Sequence, residues 1–219
     1  MTWIQTRSGK VLDLYEPKPE MIDIERDVAP ALALINRFNG HAGWYKPGDG
    51  SDPVNGYSVA QHSILGARAL LAEWNEPGVA LAFLLHDSHE FAMGDFTTPV
   101  VAALDRLAWP RDSGAVSNAL RAMKGRLDAA IYARLGLAYP IDIRLSGIVR
   151  DMDLRMLRRE RDELMSAPPQ RWHRTVENAD PIPALGWRDF LPMHPDNATR
   201  IWLAHLAEWL PLANRAGAR

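Results

Sequence analysis

The fold is decided by the stretch Phe83-Leu84-Leu85-His86-Asp87-Ser88-His89-Glu90. Its three consecutive apolar residues predict that the chain enters a hydrophobic core immediately before a His-Asp pair. We expect a helix from about Gly78 to Phe91, in which His86 and Glu90 share one face and Asp87 is offset by about 100°. His86 and Asp87 can then hold one metal ion, with Glu90 beside its open side.

Two further candidate ligands, His62 and Asp153, lie on other predicted helices. A site of four nitrogen and oxygen ligands leaves coordination positions open, as metal-assisted hydrolysis requires. Asp151 is the rival to Asp153, because residues two apart cannot share a helix face. The chain has no Cys, so imidazole and carboxylate are the available ligands, and Mn, Co, Zn, Fe and Ni are all candidate metals.

The rest of the chain predicts an all-α helical bundle with an irregular N-terminal arm. Ser58 and Gln61 form a predicted capping box, in which the Ser58 hydroxyl bonds the Gln61 amide and the Gln61 side chain reaches back. A helix capped by Asp27 should run to about Asn39, and the glycine-rich residues 40–56 should form a long mobile loop. Further helices are predicted after Pro99 and at about 113–135, 142–166 and 196–210.

The composition limits the classes of function. The chain has 219 residues, 47% of them hydrophobic, which suits a single domain with a sizeable core. Its 25 basic and 27 acidic residues argue against stable nucleic-acid binding through bulk charge. The N-terminus does not resemble a signal peptide, and no apolar run is long enough to span a bilayer. We therefore expect a cytoplasmic protein that does not enter a membrane.

The ligand pattern H…HD…D resembles that of the HD-domain phosphohydrolases. His86-Asp87-x-x-Glu90 followed by Gly94–Val100 resembles the HDxxE…GDxPTPV signature of bacterial 5′-deoxynucleotidases and of phage dATP triphosphohydrolases. Ile35–Phe38 resembles their INRW stretch, and Tyr57–Ser63 resembles the helix of their first ligand. The similarity covers about residues 28–165, so the expected organisation is one HD-type domain over 1–219 with a C-terminal extension at 166–219.

The resemblance implies a role for each matching residue. His62, His86, Asp87 and Asp153 would bind the metal, and Glu90 would orient or deprotonate the attacking water or protonate the leaving oxygen. Asp95 would hold the substrate or that water network. Arg37 would meet a phosphate, and Phe38 would pack against the sugar. The corresponding aromatic residue of the nucleotidases excludes a 2′-hydroxyl, which implies a preference for deoxyribose.

Two departures from the family pattern concern the substrate. Phe38 stands where the family has Trp, which keeps an apolar face but removes bulk and the indole donor. Val101 stands where the family often has Lys, so another cation would have to meet the phosphate. Lys124 and Arg121, on a later predicted helix, and Lys46, in the predicted loop, are the candidates.

The implied function is metal-dependent hydrolysis of deoxyribonucleotides at the α-phosphorus, with a homo-oligomer as the implied assembly. The alternatives are a phage-type dATP triphosphohydrolase, a phosphohydrolase of a signalling or cyclic nucleotide, and a nucleotide-binding regulator that keeps the fold without turnover. A regulator has no need of the water-activating carboxylate of Glu90.

Most of these residues also have a simpler interpretation. Glu90 could support a ligand histidine, Asp95 could be a turn residue, and Phe38 could belong to the core. Arg37 could form a surface ion pair with Asp27 or Glu25. We expect His89 at the helix surface or beside a ligand. The run of arginines at 155–161, with Glu160, Asp162 and Glu163, indicates a solvated face. The tryptophans are interpreted as core or subunit-interface residues: Trp172, Trp187, Trp202 and Trp209. The remaining histidines are interpreted as surface or packed residues: His41, His173, His194 and His205.

Overall fold

Helices form the frame of the protein, as a computed structural model of residues 1–42, 56–108 and 114–217 shows. They are α1 (Ala29–Leu34), α2 (Val59–Trp74), α3 (Pro77–Leu85), α4 (Glu90–Met93), α5 (Thr98–Ala108), α6 (Ala115–Arg134), α7 (Ile143–Leu164), α8 (Arg174–Glu177) and α9 (Pro195–Gly217). The strands β1 (Trp3–Gln5) and β2 (Val11–Asp13) pair antiparallel as a short hairpin. The predicted all-α class is confirmed, and so is the N-terminal arm.

The helix predicted from Asp27 to Asn39 is wrong at both ends. Asp23 caps a wide helical turn at Ile24–Val28, and α1 then ends at Leu34. Asp27 is buried and accepts hydrogen bonds from the backbone amide and hydroxyl of Ser8, so it ties the hairpin to the core instead of capping a helix. Ile35 and Asn36 are extended, because the backbone here bonds the segment that enters α2, and Arg37–Gly40 then form a short 3₁₀ turn.

The helix predicted from Gly78 to Phe91 breaks at the His-Asp pair. Helix α3 ends at Leu85, and residues 86–89 form tight turns before α4. The amides of Ser88 and Glu90 bond the carbonyls three residues earlier, a spacing at which residues i and i+3 eclipse. Asp87 and Glu90 therefore share one side of the turn, whereas a continuous α-helix would have paired His86 with Glu90.

A close approach between α2 and α3 sets the position of the histidines. A Cβ atom at Gly66 would lie 2.1 Å from the Phe83 ring, so only glycine lets the two helices pack at this distance. The ring of Phe83 lies 5.4 Å from that of His62 and 4.3 Å from that of His86, measured between centroids. The apolar ring of Phe83 thus packs against both imidazoles.

The long helices near the C-terminus agree with the predictions to within a few residues at α6 and α7. Helix α9 packs against α1, α2 and α3 and buries Trp202 and Trp209, so the C-terminal segment contributes to the same core. Gln61 supports this arrangement, since its amide group bonds the backbone of Asp189, Leu191 and Met193. The Ser58 hydroxyl caps α2 as predicted, but the Gln61 side chain does not reach back to it.

The solvated face predicted for α7 is wrong for three of its charged residues. Arg155, Glu160 and Arg161 are buried. Arg155 pairs with Glu73 of α2, and Arg161 pairs with Glu177 of α8, so these charges join helices instead of facing water. Among the residues that the structure describes, no helix has both the length and the apolar character needed to cross a membrane.

Candidate metal centre

Four side chains from three separate segments converge on one point. His62 projects from α2, His86 and Asp87 from the turn after α3, and Asp153 from α7. His62 Nε2 lies 3.4 Å from His86 Nε2 and 3.4 Å from an Asp153 oxygen. His86 Nε2 lies 3.0 Å from an Asp87 oxygen and 3.8 Å from Asp153. The structure thus brings together all four residues that the sequence named as ligands.

These separations suit a bound divalent cation. Ligand bonds of about 2.1 Å place neighbouring donor atoms about 3.0–3.4 Å apart in octahedral or tetrahedral geometry. Donor atoms of His62, His86 and Asp87 all lie within 4.8 Å of one another. Two imidazole nitrogens and two carboxylates that face each other in a largely buried position form a donor set of the kind that Mn, Co, Fe, Ni and Zn accept.

Asp153, and not Asp151, belongs to this cluster. The side chain of Asp151 is 67% exposed and pairs with Arg155 one turn further along α7. Asp153 instead lies 3.4 Å from His62 Nε2 and 3.8 Å from His86 Nε2. The side chains of Asp151 and Asp153 leave α7 in different directions, and only Asp153 lies at the cluster.

The cluster keeps its carboxylates ionised. Although burial opposes ionisation, the adjacent His86 holds the pKa of Asp87 below its ordinary value. Hydrogen bonds from His62 and His86 likewise outweigh burial and hold the pKa of Asp153 well below its ordinary value. Burial lowers the pKa of His86, yet Asp87 and Asp153 together raise it well above its ordinary value. The site is therefore an electrostatic environment that favours cations.

Glu160 is a member of the site that sequence analysis missed. Its side chain is fully buried, and one oxygen lies 2.5 Å from His62 Nδ1 while the other accepts from Arg37 Nε at 3.1 Å. A carboxylate on Nδ1 fixes the imidazole and directs Nε2 at the cluster, the usual arrangement behind a metal-binding histidine. Its spacing in the sequence could have identified it, since Glu160 lies about two helical turns beyond Asp153 on the same face of the helix.

Arg37 lies inside the protein and not at the surface. It forms no pair with Asp27 or Glu25, since its guanidinium bonds Glu160 and lies 3.5 Å from an Asp87 oxygen. Phe38, the next residue, has a φ of 54°, which L-residues rarely adopt. Its half-buried ring lies 5.6 Å from the Arg37 guanidinium carbon and 6.2 Å from the Trp172 ring.

Glu90 and Asp95 lie close enough to Asp87 for its charge to reach both. Glu90 is buried, and its Oε2 atom has no hydrogen-bond partner among the described residues. Burial and the charges of Asp87 and Asp95 raise the pKa of Glu90 well above its ordinary value. Asp95 is half-buried after the left-handed Gly94, and burial also raises its pKa. Both carboxyls therefore favour protonation at a higher pH than usual.

Of the three cations proposed to meet the phosphate, Lys124 is the one whose charge reaches Glu90 and Asp95. Its side chain is half-buried on α6. Arg121 is exposed and bonds Asn118, one turn earlier on the same helix. Lys46 lies outside the described residues.

His89 is buried, so the first of its two predicted positions, at the helix surface, is wrong, and it lies beside the candidate ligand Asp87 instead. It is 4% exposed, and its Nδ1 lies 3.0 Å from Asp128 of α6. The other histidines outside the cluster agree with the simpler interpretation. His41, His173 and His194 are exposed, and His205 stacks on Trp209.

A cavity of about 360 Å³ opens beside the cluster. Its walls come from α6, the segment 139–141 and the first half of α7, and it reaches His86 and Asp153. The lining combines the aromatic rings of Tyr132 and Tyr139 with the charges of Asp128 and Arg150. The cavity thus has two aromatic rings and several polar and charged side chains in its walls.

The fold and this centre define an all-α protein with a partly buried His/Asp cluster. No family model matches the chain. An uncharacterized protein of Rhodobacter capsulatus is 33% identical over 188 residues, which cover 84% of each chain. The chain belongs to the same family as this bacterial protein.

Proposed function

We propose that this protein is a metal-dependent phosphohydrolase that cleaves deoxyribonucleotides at the α-phosphorus. The observation that carries the proposal is the convergence of His62, His86, Asp87 and Asp153 from three separate segments. A nucleoside monophosphate would release phosphate, and a nucleoside triphosphate would release triphosphate. In both reactions water attacks phosphorus and the bond to the nucleoside oxygen breaks.

The four ligands would hold one divalent ion. Such an ion lowers the pKa of bound water and polarises P–O bonds, which supplies a nucleophile and neutralises charge at neutral pH. The chain contributes the orientation of the ligands, with Glu160 fixing His62 through Nδ1. The apolar ring of Phe83 fixes the other face of the two imidazoles.

Glu90 would move the proton. Its unpartnered Oε2 atom is buried beside Asp87. A raised pKa suits a carboxyl group that takes a proton from the attacking water or delivers one to the leaving oxygen. A pure nucleotide sensor would have no use for a buried carboxyl held in this way, which favours turnover over binding alone.

The Glu90→Gln variant is expected to lose turnover by about 10²- to 10⁴-fold, because the amide cannot exchange the proton. The ion held by His62 and His86 should stay bound, since Glu90 is not one of its ligands. The measurement is kcat for release of nucleoside, with metal content determined on the same sample. Glu208→Gln, a change at an exposed side chain, is the control and should leave both values unchanged.

Arg37 and Phe38 would recognise the reacting end of the nucleotide. The guanidinium holds Glu160 through Nε, and its NH1 group lies at the long distance of 3.5 Å from Asp87. That group can turn to a phosphate oxygen, for which a guanidinium is well suited. The strained backbone at Phe38 holds the ring beside Arg37, where it would pack against the sugar.

We expect the Phe38 ring to produce a preference for deoxyribose. Wild-type protein should hydrolyse deoxyribonucleotides about 10- to 100-fold faster than ribonucleotides, judged by kcat/KM, because a 2′-hydroxyl would lie against an apolar ring. Phe38→Ala should reduce that ratio while metal content is retained. Equal rates on the two sugars with wild-type protein would contradict the role of Phe38.

The cavity beside His86 and Asp153 offers room for the rest of the substrate. It lies along the first half of α7, whereas Glu160 and its partner Arg37 lie at the other half. Arg150 and Glu160 are about 15 Å apart along the axis of α7. Because Arg37 pairs with Glu160, the cluster has a cation on each side, Arg150 on one and Arg37 on the other. A nucleotide could therefore extend from the cluster in either direction.

A single screen tests the proposed function. Deoxynucleoside mono- and triphosphates of each base are incubated with the protein and Mn, Co, Zn, Fe or Ni, and nucleoside, phosphate and triphosphate are quantified. Release with at least one metal is the expected result. Binding of nucleotides without release under every condition would refute hydrolysis and favour a regulator. The products and preferred base would also separate a nucleotidase from a dATP triphosphohydrolase.

A further inference from the structure

We propose that Trp172 positions the ring of Phe38 and thereby sets how strongly the protein discriminates between deoxyribose and ribose. This deepens the proposed function, on which it rests, because sugar discrimination is a property of nucleotide recognition. Trp172 is half-buried in the segment between α7 and α8, beyond residues 28–165, which carry the family resemblance. It is therefore a contribution of the C-terminal extension to the region beside the metal centre.

Phe38 has a backbone conformation that needs support from its neighbours. Its φ of 54° and ψ of 34° lie in the left-handed region, which a bulky L-residue keeps where surrounding contacts offset the strain. The ring centroid lies 5.6 Å from the Arg37 guanidinium carbon and 6.2 Å from the Trp172 ring, with 57° between the ring planes. Tilted rings with centroids about 4.5–7 Å apart form a favourable aromatic pair. The indole therefore restricts the movement of the Phe38 ring.

Charged residues of α7 and α8 fix Trp172 itself. The guanidinium carbon of Arg161 lies over the indole, 5.4 Å from the ring centroid. Glu177 accepts hydrogen bonds from the Trp172 backbone amide at 2.9 Å and from the Arg161 NH1 group at 2.7 Å. Arg161 is 6% exposed, so it is held in place by the surrounding protein. Trp172 is thus attached to α8 through its backbone and to α7 through its ring.

The support of the aromatic pair comes from the part of α7 that also supports the metal centre. Glu160 pairs with Arg37, and the next residue along α7, Arg161, lies over Trp172. Consecutive residues of a helix point about 100° apart, so one turn of α7 reaches both the cluster and the indole. Arg37 and Phe38 are also consecutive. Two pairs of neighbouring residues therefore fix the aromatic rings relative to the candidate metal ligands.

The position of an apolar ring decides how unfavourable a 2′-hydroxyl is. A hydroxyl that lies against the ring loses its hydrogen bonds to water and finds no partner there. A ring that can turn away lets water return, and the hydroxyl is then tolerated. Since the Phe38 ring lies between a guanidinium and an indole, it cannot turn away freely. Trp172 acts on the sugar through Phe38 and needs no contact of its own with the reacting atoms.

The test compares kcat/KM for a deoxyribonucleotide and for the matching ribonucleotide, with metal content determined on each sample. Trp172→Ala should lower the ratio of the two values by about 10-fold, because ribonucleotides are no longer rejected. General damage to the fold would slow both sugars alike and leave the ratio unchanged. Trp172→Phe keeps an aromatic ring and should retain most of the preference.

Trp74→Ala is the matched control. Trp74 is 41% exposed at the end of α2, and like Trp172 it has a guanidinium carbon over its ring, at 5.3 Å. It lies at the opposite end of α2 from the candidate ligand His62. The ratio measured for this control should equal that of the wild-type protein.

A double variant tests whether Trp172 acts through Phe38. Phe38→Ala alone removes the ring, so the addition of Trp172→Ala should leave the ratio of Phe38→Ala unchanged. A further fall in the double variant, or a wild-type ratio in Trp172→Ala, would overturn the positioning role. Circular dichroism checks that Trp172→Ala is folded. If it is not, Trp172→Leu, which is apolar but has no ring, takes its place and should also lower the ratio.

These outcomes are separate from those of the proposed function. Hydrolysis with a deoxyribose preference that Trp172→Ala leaves intact would remove only the positioning role. Equal rates on the two sugars with wild-type protein would remove the roles of Phe38 and Trp172 but not the hydrolysis. No hydrolysis of any nucleotide by the wild-type protein would remove the proposed function, and this inference with it.

Discussion

Asp87→Ala is expected to abolish tight metal binding and to reduce nucleotide hydrolysis to background. Asp87 lies 3.0 Å from His86 Nε2 and within 4.8 Å of a nitrogen of His62, so its oxygen faces the centre of the cluster. Loss of a residue that merely supports a ligand weakens metal binding by about 10- to 100-fold, and loss of a ligand should cost more than that.

The measurement is metal content after dialysis against a low metal concentration, together with turnover on the best substrate of the screen. Asp151→Ala is the matched control, since it removes an exposed carboxylate close to Asp153 without touching the cluster. We expect this control to keep its metal and its activity. Full retention of the ion by Asp87→Ala would refute the assignment of the centre.

Glu160→Ala is expected to damage both stability and metal binding. Its carboxylate is fully buried between His62 and Arg37, and removal of one partner of a buried ion pair costs about 3–5 kcal/mol because the other charge is left unpaired. The imidazole of His62 also loses the group that orients it, which should weaken metal binding by about 10- to 100-fold. Denaturant unfolding and metal titration measure the two effects separately.

Glu160→Gln keeps the shape of the side chain and is expected to be better folded than Glu160→Ala, while metal binding remains weakened. Glu163→Ala is the matched control on the same helix, because Glu163 forms a partly exposed pair with Arg159. That control should change the free energy of unfolding by less than about 1 kcal/mol. A stability of Glu160→Ala equal to that of the control would show that the buried pair has no structural role.

Much of the helical frame could be predicted from sequence. Helices α6, α7 and α9 are long, and their apolar residues recur with a period near 3.6, which is the strongest local signal a sequence carries. Trp202 and Trp209 follow that period and are buried as expected. The predicted helix boundaries at Asp27 and Asn39 were wrong, because hydrogen bonds to Ser8 and to the segment before α2 override local helix signals there.

The candidate ligands were likewise identifiable from sequence, but the surrounding residues were not. His62, His86, Asp87 and Asp153 match a known ligand pattern, and the structure brings them together. Glu160 and Arg155 stand in a run of alternating charges that is typical of a solvated surface. Their burial depends on which helices pack against α7, a property that no local pattern contains.

The sequence by itself determined the all-α class, the long amphipathic helices and the set of imidazoles and carboxylates that can bind a metal, because these depend on local periodicity and residue chemistry. Only the tertiary structure decided that α3 stops at His86, that Glu160 holds His62, and that His89 turns inward to Asp128. Each of those outcomes depends on contacts between segments far apart in the chain, where packing and buried hydrogen bonds outweigh local preference.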